Sequence, residues 1–215
     1  MKRAAIVVVA LFLATSTYAA PTVVDLDPLT GHIRAPLSYM GQLAVPLGEA
    51  NAAQIYLENE NITLGSDLAL AGGGIVSAGT DVSSYIVRLD PARNTSDVYQ
   101  AYGTITFDQP VLGLIYATSD SSTYSLLTAS DASVGLAVAN YGSASARKLE
   151  IPQQTWQDVA TFAGNVVTIN LFANTGIDDV RIITEAAPTV PAPGAVALLG
   201  IGTSLIGWLR RRKTL

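Results

Sequence analysis

Short runs rich in Val, Ile, Thr, Tyr and Phe recur along residues 54–184, separated by Gly, Asn, Asp, Ser and Pro. Within residues 166–172, every second residue is aliphatic, which is the period of a β-strand. Residues 163–165 are typical of a hairpin turn, and residues 108–110 join two further runs in the same way. Because no long stretch has helical periodicity, the pattern predicts an all-β fold, a two-sheet sandwich of jelly-roll type.

The N-terminus has the layout of a secretory signal peptide. Met1, Lys2 and Arg3 are followed by an apolar run of 11 residues and then by small or polar residues up to Ala20. Eleven residues are about half of what a membrane-spanning helix needs, which favours a cleaved signal helix over a membrane anchor. We predict that residues 1–19 are removed and that residues 20–185 form the exported domain.

The C-terminus combines a proline-rich linker, an apolar segment and a basic end. Residues 186–193 are an Ala/Pro linker that closes on a short motif, Val190, Pro191, Ala192 and Pro193. Residues 194–215 predict a single transmembrane helix with Trp208 at the membrane interface. Its basic end stays in the cytoplasm by the positive-inside preference and consists of Arg210, Arg211, Arg212 and Lys213. The inner membrane is therefore an expected partner, with the body in the periplasm.

This order of features resembles the PEP-CTERM sorting signal of exported bacterial proteins. That family has a Pro-Glu-Pro-like motif, a short Gly/Ala/Leu-rich helix and an Arg-rich end, and here Ala192 stands in the place of the usual Glu. Residues 105–115 and 174–182 are also similar to segments of such ectodomains. The resemblance implies export, processing by an exosortase-type enzyme, and display at the cell surface or in an extracellular matrix containing exopolysaccharide. The same signature is also known as the C-terminal domain of ice-binding proteins.

The charge of the body excludes several classes of function. Six of the 12 basic residues lie in the two ends, and the remaining six are set against all 17 acidic residues, a net charge of −11. Nucleic acid is not an expected partner, because phosphate recognition needs clustered Lys and Arg. With no Cys and a single His, the chain has no disulfide, no Cys-based zinc site and no multi-His metal centre.

Acidic residues near both ends of the body suggest a structural Ca²⁺ site. If the first and last strands pair, their carboxylates would supply the hard oxygen ligands that Ca²⁺ prefers. The candidate ligands are Asp25, Asp27, Asp178 and Asp179. The alternative is that these residues are turn acceptors and solvated charges at strand ends.

Aromatic residues suggest a surface on which sugars could stack, because flat rings present apolar faces with polar rims. The candidates in the body are Tyr124, Tyr141 and Trp156, and the two tyrosines lie in Ser/Gly-rich segments expected to be exposed loops. The alternative is that these rings pack in the core or across strands.

No catalytic constellation is evident. The single histidine, His32, has no nucleophile elbow beside it, and the sequence contains no Gly-x-Ser-x-Gly. Nothing in the sequence pairs two of the carboxylates available for glycoside hydrolysis, which are Glu58, Glu60, Asp120 and Asp131. We therefore predict a non-enzymatic surface or matrix protein with a structural or adhesive role and weak carbohydrate binding. One alternative is a secreted carbohydrate-active enzyme using an Asp/Glu pair. The other is an ice-binding protein, whose surface often carries threonines at strand spacing; Thr104 and Thr106 are the one such pair in the predicted strands.

Overall fold

The computed structural model describes residues 19–28, 31–43, 47, 49–92, 97–118, 120–136, 141–151, 156–174 and 176–188. Ala19–Ala187 form one compact unit. The signal segment, the motif at residues 190–193 and the apolar segment with its basic end at residues 194–215 lie outside the described residues. Within the described ranges, no helix is both long enough and apolar enough to cross a membrane.

The described part of the chain is built from short strands and one α-helix, α1 (Tyr124–Val134). The strands are β1 (Thr22–Leu26), β2 (Ile33–Arg34), β3 (Leu37–Gln42), β4 (Ala50–Thr63), β5 (Leu68–Ala69), β6 (Ile75–Val76), β7 (Asp81–Asp90), β8 (Tyr99–Thr106), β9 (Val111–Ile115), β10 (Ala117–Thr118), β11 (Lys148–Leu149), β12 (Val159–Ala163), β13 (Val166–Ala173) and β14 (Asp178–Glu185). Single turns of 3₁₀ helix lie at Ser121–Thr123 and Ala144–Ala146.

Two five-stranded sheets contain most of the strands. Sheet A has the order β1-β8-β13-β12, with β2 paired to β8, and sheet B has the order β3-β4-β7-β14-β9. Two short pairs, β5 with β6 and β10 with β11, lie outside these sheets. Aliphatic side chains from both sheets meet in one buried cluster, for example Ile105 and Val167 from sheet A with Val87 and Ile182 from sheet B. This confirms the all-β sandwich predicted from the alternating pattern.

The connections between strands differ in part from the prediction. The hairpin at residues 163–165 is confirmed, because Ala163 pairs with Val166 and Gly164 between them has φ +60°. The turn at residues 108–110 is not a hairpin, since β8 belongs to sheet A and β9 to sheet B. The chain crosses between the two sheets there. The parallel pairing of β3 with β4 also departs from a purely antiparallel jelly roll.

Helix α1 covers part of the outer surface of sheet B. Its buried residues include Leu127 and Val134, seven positions apart on one helical face. They pack with Ile115 and Ile183, which point away from the inter-sheet core. The helix was not predicted, because its Ser- and Thr-rich sequence has little intrinsic helix preference and depends on this packing.

Candidate functional site

Three carboxylates from the ends of three strands converge at one edge of the sandwich. Glu150 follows β11, Asp158 precedes β12, and Asp178 is the first residue of β14. One oxygen of each lies within 4.8 Å of the other two. Asp158 and Asp178 are each only 1% exposed, whereas Glu150 is half-buried. We call these three residues the acidic cluster.

Backbone hydrogen bonds fix Asp158 within the acidic cluster. Its Oδ2 accepts the backbone N–H of Glu150 at 2.6 Å, and its Oδ1 accepts that of Phe172 at 2.7 Å. Asp178 differs, because its Oδ2 is buried and has no hydrogen-bond partner among the described residues. A buried polar atom without a partner is costly, and such atoms are uncommon in native proteins.

The acidic cluster concentrates negative charge away from water. Burial raises the pKa of Asp158 to about 7, with the charge of Glu150 adding to this and the two backbone hydrogen bonds opposing it. Burial, together with the charges of Asp158, Glu150 and Asp179, raises the pKa of Asp178 well above its ordinary value. Either protons or a cation would therefore stabilise this arrangement.

A cavity of about 240 Å³ opens beside the acidic cluster, and its lining includes Glu150, Trp156, Phe172 and Asn174. Trp156 is 44% exposed, so one part of its indole ring is available to a ligand. The ring of His32 makes edge contacts with Trp156 and Phe172, at centroid distances of 5.8 and 5.1 Å. The only histidine of the chain thus supports the aromatic wall of this cavity, which we call the Trp156 pocket.

The four aspartates predicted to bind Ca²⁺ are not brought together. The prediction required the first and last strands to pair, but β1 pairs with β8 in sheet A while β14 lies between β7 and β9 in sheet B. Asp25 and Asp27 lie near Arg34, at 2.6 and 3.4 Å. Asp179 is bonded to arginines, and only Asp178 belongs to the acidic cluster. Sequence reasoning missed Glu150 and Asp158, whose spacing matches no metal-binding motif.

The three predicted stacking rings have different surroundings. Trp156 lines the Trp156 pocket, and Tyr124 is half-buried at the start of α1. Tyr141 is only 7% exposed, and the guanidinium groups of Arg147 and Arg181 lie 5.1 and 5.2 Å from the centre of its ring. The expectation that Tyr141 is an exposed loop residue is therefore wrong, because its ring takes part in buried cation–π contacts.

Tyr141 borders a buried set of ionic bonds that joins α1 and the following segment to sheet B. We call it the charge network, and its members are Glu58, Arg88, Asp131, Arg147, Asp179 and Arg181. Arg88 binds both oxygens of Asp179 at 2.6 and 2.7 Å. Burial raises the pKa of Asp179, but the charges of Arg88 and Arg147 outweigh it and leave the pKa below its ordinary value. The three acids and three arginines balance in charge.

Three of the four carboxylates considered for glycoside hydrolysis take part in other interactions. Glu58 and Asp131 both bind Arg181, so the charge network neutralises them. Asp120 is exposed and accepts the backbone N–H of Ser122 at 3.0 Å, and Glu60 is half-buried on β4. Two of the four carboxylates are thus held by arginines, and burial raises the pKa of Glu60.

The outer face of sheet A carries an array of threonines. Thr104 pairs with Thr168, and Thr168 pairs with Thr161 on the next strand. Two residues along β8, Thr106 pairs with Thr22. Because directly paired residues share a face, these five side chains form two adjacent rows. All five are exposed or half-buried.

Comparison with known proteins gives no match. No family model, no curated protein and no solved structure matches this chain. The resemblance of the C-terminal segment to the PEP-CTERM signal therefore rests on the residues of that segment alone, and the function of the body rests on its own geometry.

Proposed function

We propose that the chain is an exported, non-enzymatic binding protein of the cell surface or extracellular matrix, whose sandwich binds polysaccharide at the Trp156 pocket. The observation that carries the proposal is the exposed indole of Trp156, which lines a cavity together with the carboxylate of Glu150. The ring of His32 packs against this indole and supports it. An aromatic face beside polar groups suits a sugar ring, which has apolar C–H faces and a hydroxyl rim.

The destination of the protein is proposed from its two ends. The signal peptide at residues 1–19 directs export, and residues 194–215 anchor the protein in the inner membrane with the body in the periplasm. An exosortase-type enzyme then recognises the motif at residues 190–193, and the body passes to the cell surface or to an exopolysaccharide-containing biofilm. There its role is structural or adhesive.

The burial of the acidic cluster favours binding over catalysis. Hydrolysis of a glycoside needs two carboxyl groups that both reach the substrate. Glu150 lines the Trp156 pocket, while Asp158 and Asp178 lie behind it and are almost completely buried. Both oxygens of Asp158 already accept backbone hydrogen bonds. This arrangement fixes the pocket wall but offers a substrate only one accessible acid.

Polysaccharide binding can be tested with a single substitution. We expect the full-length protein to bind exopolysaccharide from a biofilm-forming bacterium, and we expect Trp156→Ala to weaken that binding roughly tenfold, because the stacking surface is lost. Phe162→Ala is the matched control, since Phe162 is an aromatic residue with the same 44% exposure as Trp156 and does not line the pocket. Equal binding by Trp156→Ala and the unaltered protein would contradict the proposed site.

Export is tested separately. A reporter fused after residue 185 is expected to reach the periplasm, and a fusion that retains residues 186–215 is expected to remain with the inner membrane until it is processed. Retention of the full-length fusion in the cytoplasm would contradict the proposed destination, whatever the outcome of the sugar experiment.

The threonine rows on sheet A favour ice binding as a second candidate function. Neighbouring strands are about 4.8 Å apart and alternate residues along a strand about 6.8 Å apart, so the five threonines present hydroxyl and methyl groups at regular spacings, three in one row and two in the next. Such an array can order water in a lattice. Thr168→Lys, at the centre of the longer row, should then abolish inhibition of ice recrystallisation. Unchanged ice growth in the presence of the unaltered protein would eliminate this candidate.

A further inference from the structure

We propose that the acidic cluster is a Ca²⁺ site in which Glu150, Asp158 and Asp178 each provide a carboxylate oxygen. This goes beyond the proposed function and does not depend on it, because the three ligands are defined without reference to a sugar. The ion would connect the segment between β11 and β12 to the first residue of β14.

The spacing of the three oxygens fits a shared ion. Oxygen ligands lie about 2.3–2.6 Å from Ca²⁺, so two ligands of one ion can be at most about 5 Å apart. The three oxygens of the acidic cluster lie within 4.8 Å of one another. A small side-chain adjustment would bring all three into the first coordination shell.

The buried oxygen of Asp178 independently indicates a missing ligand. Its Oδ2 is inaccessible to solvent and accepts no hydrogen bond from the described residues. Such an atom loses its hydration on folding and gains nothing in return unless a proton or a cation binds it. A metal ion would satisfy this oxygen and neutralise its neighbours at the same time.

Among the described residues, no basic side chain forms an ion pair with the acidic cluster. Arg34 is paired with Asp25, and the other three arginines that the structure describes belong to the charge network. Lys148, two residues before Glu150, forms no ion pair with the three carboxylates. The cluster therefore holds three carboxylates without a protein counter-charge. A divalent cation supplies that charge more completely than a single lysine would.

The ligand chemistry favours Ca²⁺ over other metals. All three donors are hard carboxylate oxygens, and Zn²⁺ and copper sites are usually built with His or Cys. Mg²⁺ demands near-ideal octahedral geometry, whereas Ca²⁺ accepts irregular sets of six to eight oxygens. The adjoining Trp156 pocket, about 240 Å³ in volume and lined by Glu150, leaves room for the waters that would complete the shell.

The ion would also hold the pocket in place. Trp156 lies two residues before Asp158, and Asn174 and Gly176 of the pocket wall lie between β13 and Asp178. A cation bound to Asp158 and Asp178 would thus fix both sides of the pocket with respect to each other.

The test is calorimetric titration of the full-length protein, in detergent and freed of metal with EDTA, with CaCl₂ and separately with MgCl₂. We expect Ca²⁺ to bind and to raise the Tm, and Mg²⁺ to bind at least about tenfold more weakly. Tb³⁺, a luminescent substitute for Ca²⁺, should emit on excitation of Trp156, because both would lie at the same pocket.

The diagnostic variant is Asp178→Asn, with Asp27→Asn as its matched control. Asp27 is 91% exposed and lies outside the acidic cluster, so its substitution should leave Ca²⁺ affinity unchanged. Asp178→Asn should lower Ca²⁺ affinity at least about tenfold and should unfold at a higher temperature than the unaltered protein in EDTA, because a repelling charge is removed.

Three results would overturn the inference: no Ca²⁺ binding by the unaltered protein, undiminished affinity in Asp178→Asn, or an equal loss in Asp27→Asn. If Asp178→Asn fails to fold, Glu150→Gln decides the question, because Glu150 is the most accessible of the three ligands. Unchanged Ca²⁺ affinity in Glu150→Gln would then refute the site, and a tenfold loss would support it.

Discussion

Replacing Arg181 with methionine removes the central cation of the charge network without greatly changing its volume. Arg181 donates to both oxygens of Glu58, at 2.7 and 2.8 Å, binds Asp131 at 2.9 Å and also donates to Ser130. Asp131 keeps its bond to Arg147 in the variant. Glu58 keeps only neutral hydroxyl partners, Ser84 at 2.8 Å and Tyr141, so a fully buried carboxylate loses its counter-charge.

The expected loss follows from that one uncompensated charge. Breaking a buried ion pair by removing one partner costs about 3–5 kcal/mol. For a domain of this size that corresponds to a fall in Tm of roughly 6–20 °C. Adding Glu58→Gln to Arg181→Met should restore much of the stability, because neither charge is then left unpaired.

Urea unfolding followed by tryptophan fluorescence measures these differences for the two single variants and the double variant. Arg34→Met is the comparison, since Arg34 makes a similarly short ion pair with Asp25 but its side chain is 46% exposed and that of Asp25 is 18% exposed, so its replacement should cost less than that of Arg181. A loss in Arg181→Met no greater than in Arg34→Met would refute the reasoning. So would a double variant whose loss equals the sum of the single losses.

Three further results are expected from the same unfolding assay. In EDTA, the free energy of unfolding should fall as the pH rises from about 4 to about 7. The reason is that Asp158 holds its proton more tightly in the folded state, where its pKa is about 7, than at its ordinary value of 3.8. The fall should be smaller in Asp158→Asn. Gly103→Ala should lower the free energy of unfolding by about 1–3 kcal/mol, since a Cβ there would lie 2.3 Å from the carbonyl oxygen of Val24. Gly65→Ala is the control, because a Cβ at Gly65 meets no neighbour and should lower it less. Leu127→Ala should cost about 2–5 kcal/mol if α1 is packed on sheet B as described, and a loss below 1 kcal/mol would contradict that packing.

The sandwich could be predicted because its strands are encoded locally. The alternation in β13 places Val167, Ile169 and Leu171 in the core, and the turn after Ala163 is encoded by Gly164 and Asn165. Such period-two patterns are independent of which strand pairs with which.

The strand order and the acidic cluster could not be predicted from these local signals. Glu150, Asp158 and Asp178 are scattered along the sequence and meet only because the ends of β11, β12 and β14 converge. Arg181 and Asp179 alternate along a strand like any surface charges, yet α1 covers that face and buries them. Whether a polar face is solvated or covered depends on tertiary packing, which a single sequence does not display.

The last strand of the body occupies an interior position in its sheet. β14 lies between β7 and β9, and it also contributes Asp179 and Arg181 to the charge network. During synthesis, the four strands of sheet B made earlier therefore have a gap between β7 and β9 until residue 185 emerges, and the domain cannot complete its folding before then. A nascent polypeptide can pass through a narrow secretion channel only while it is unfolded. A domain whose folding waits for its last strand stays in that state for longer.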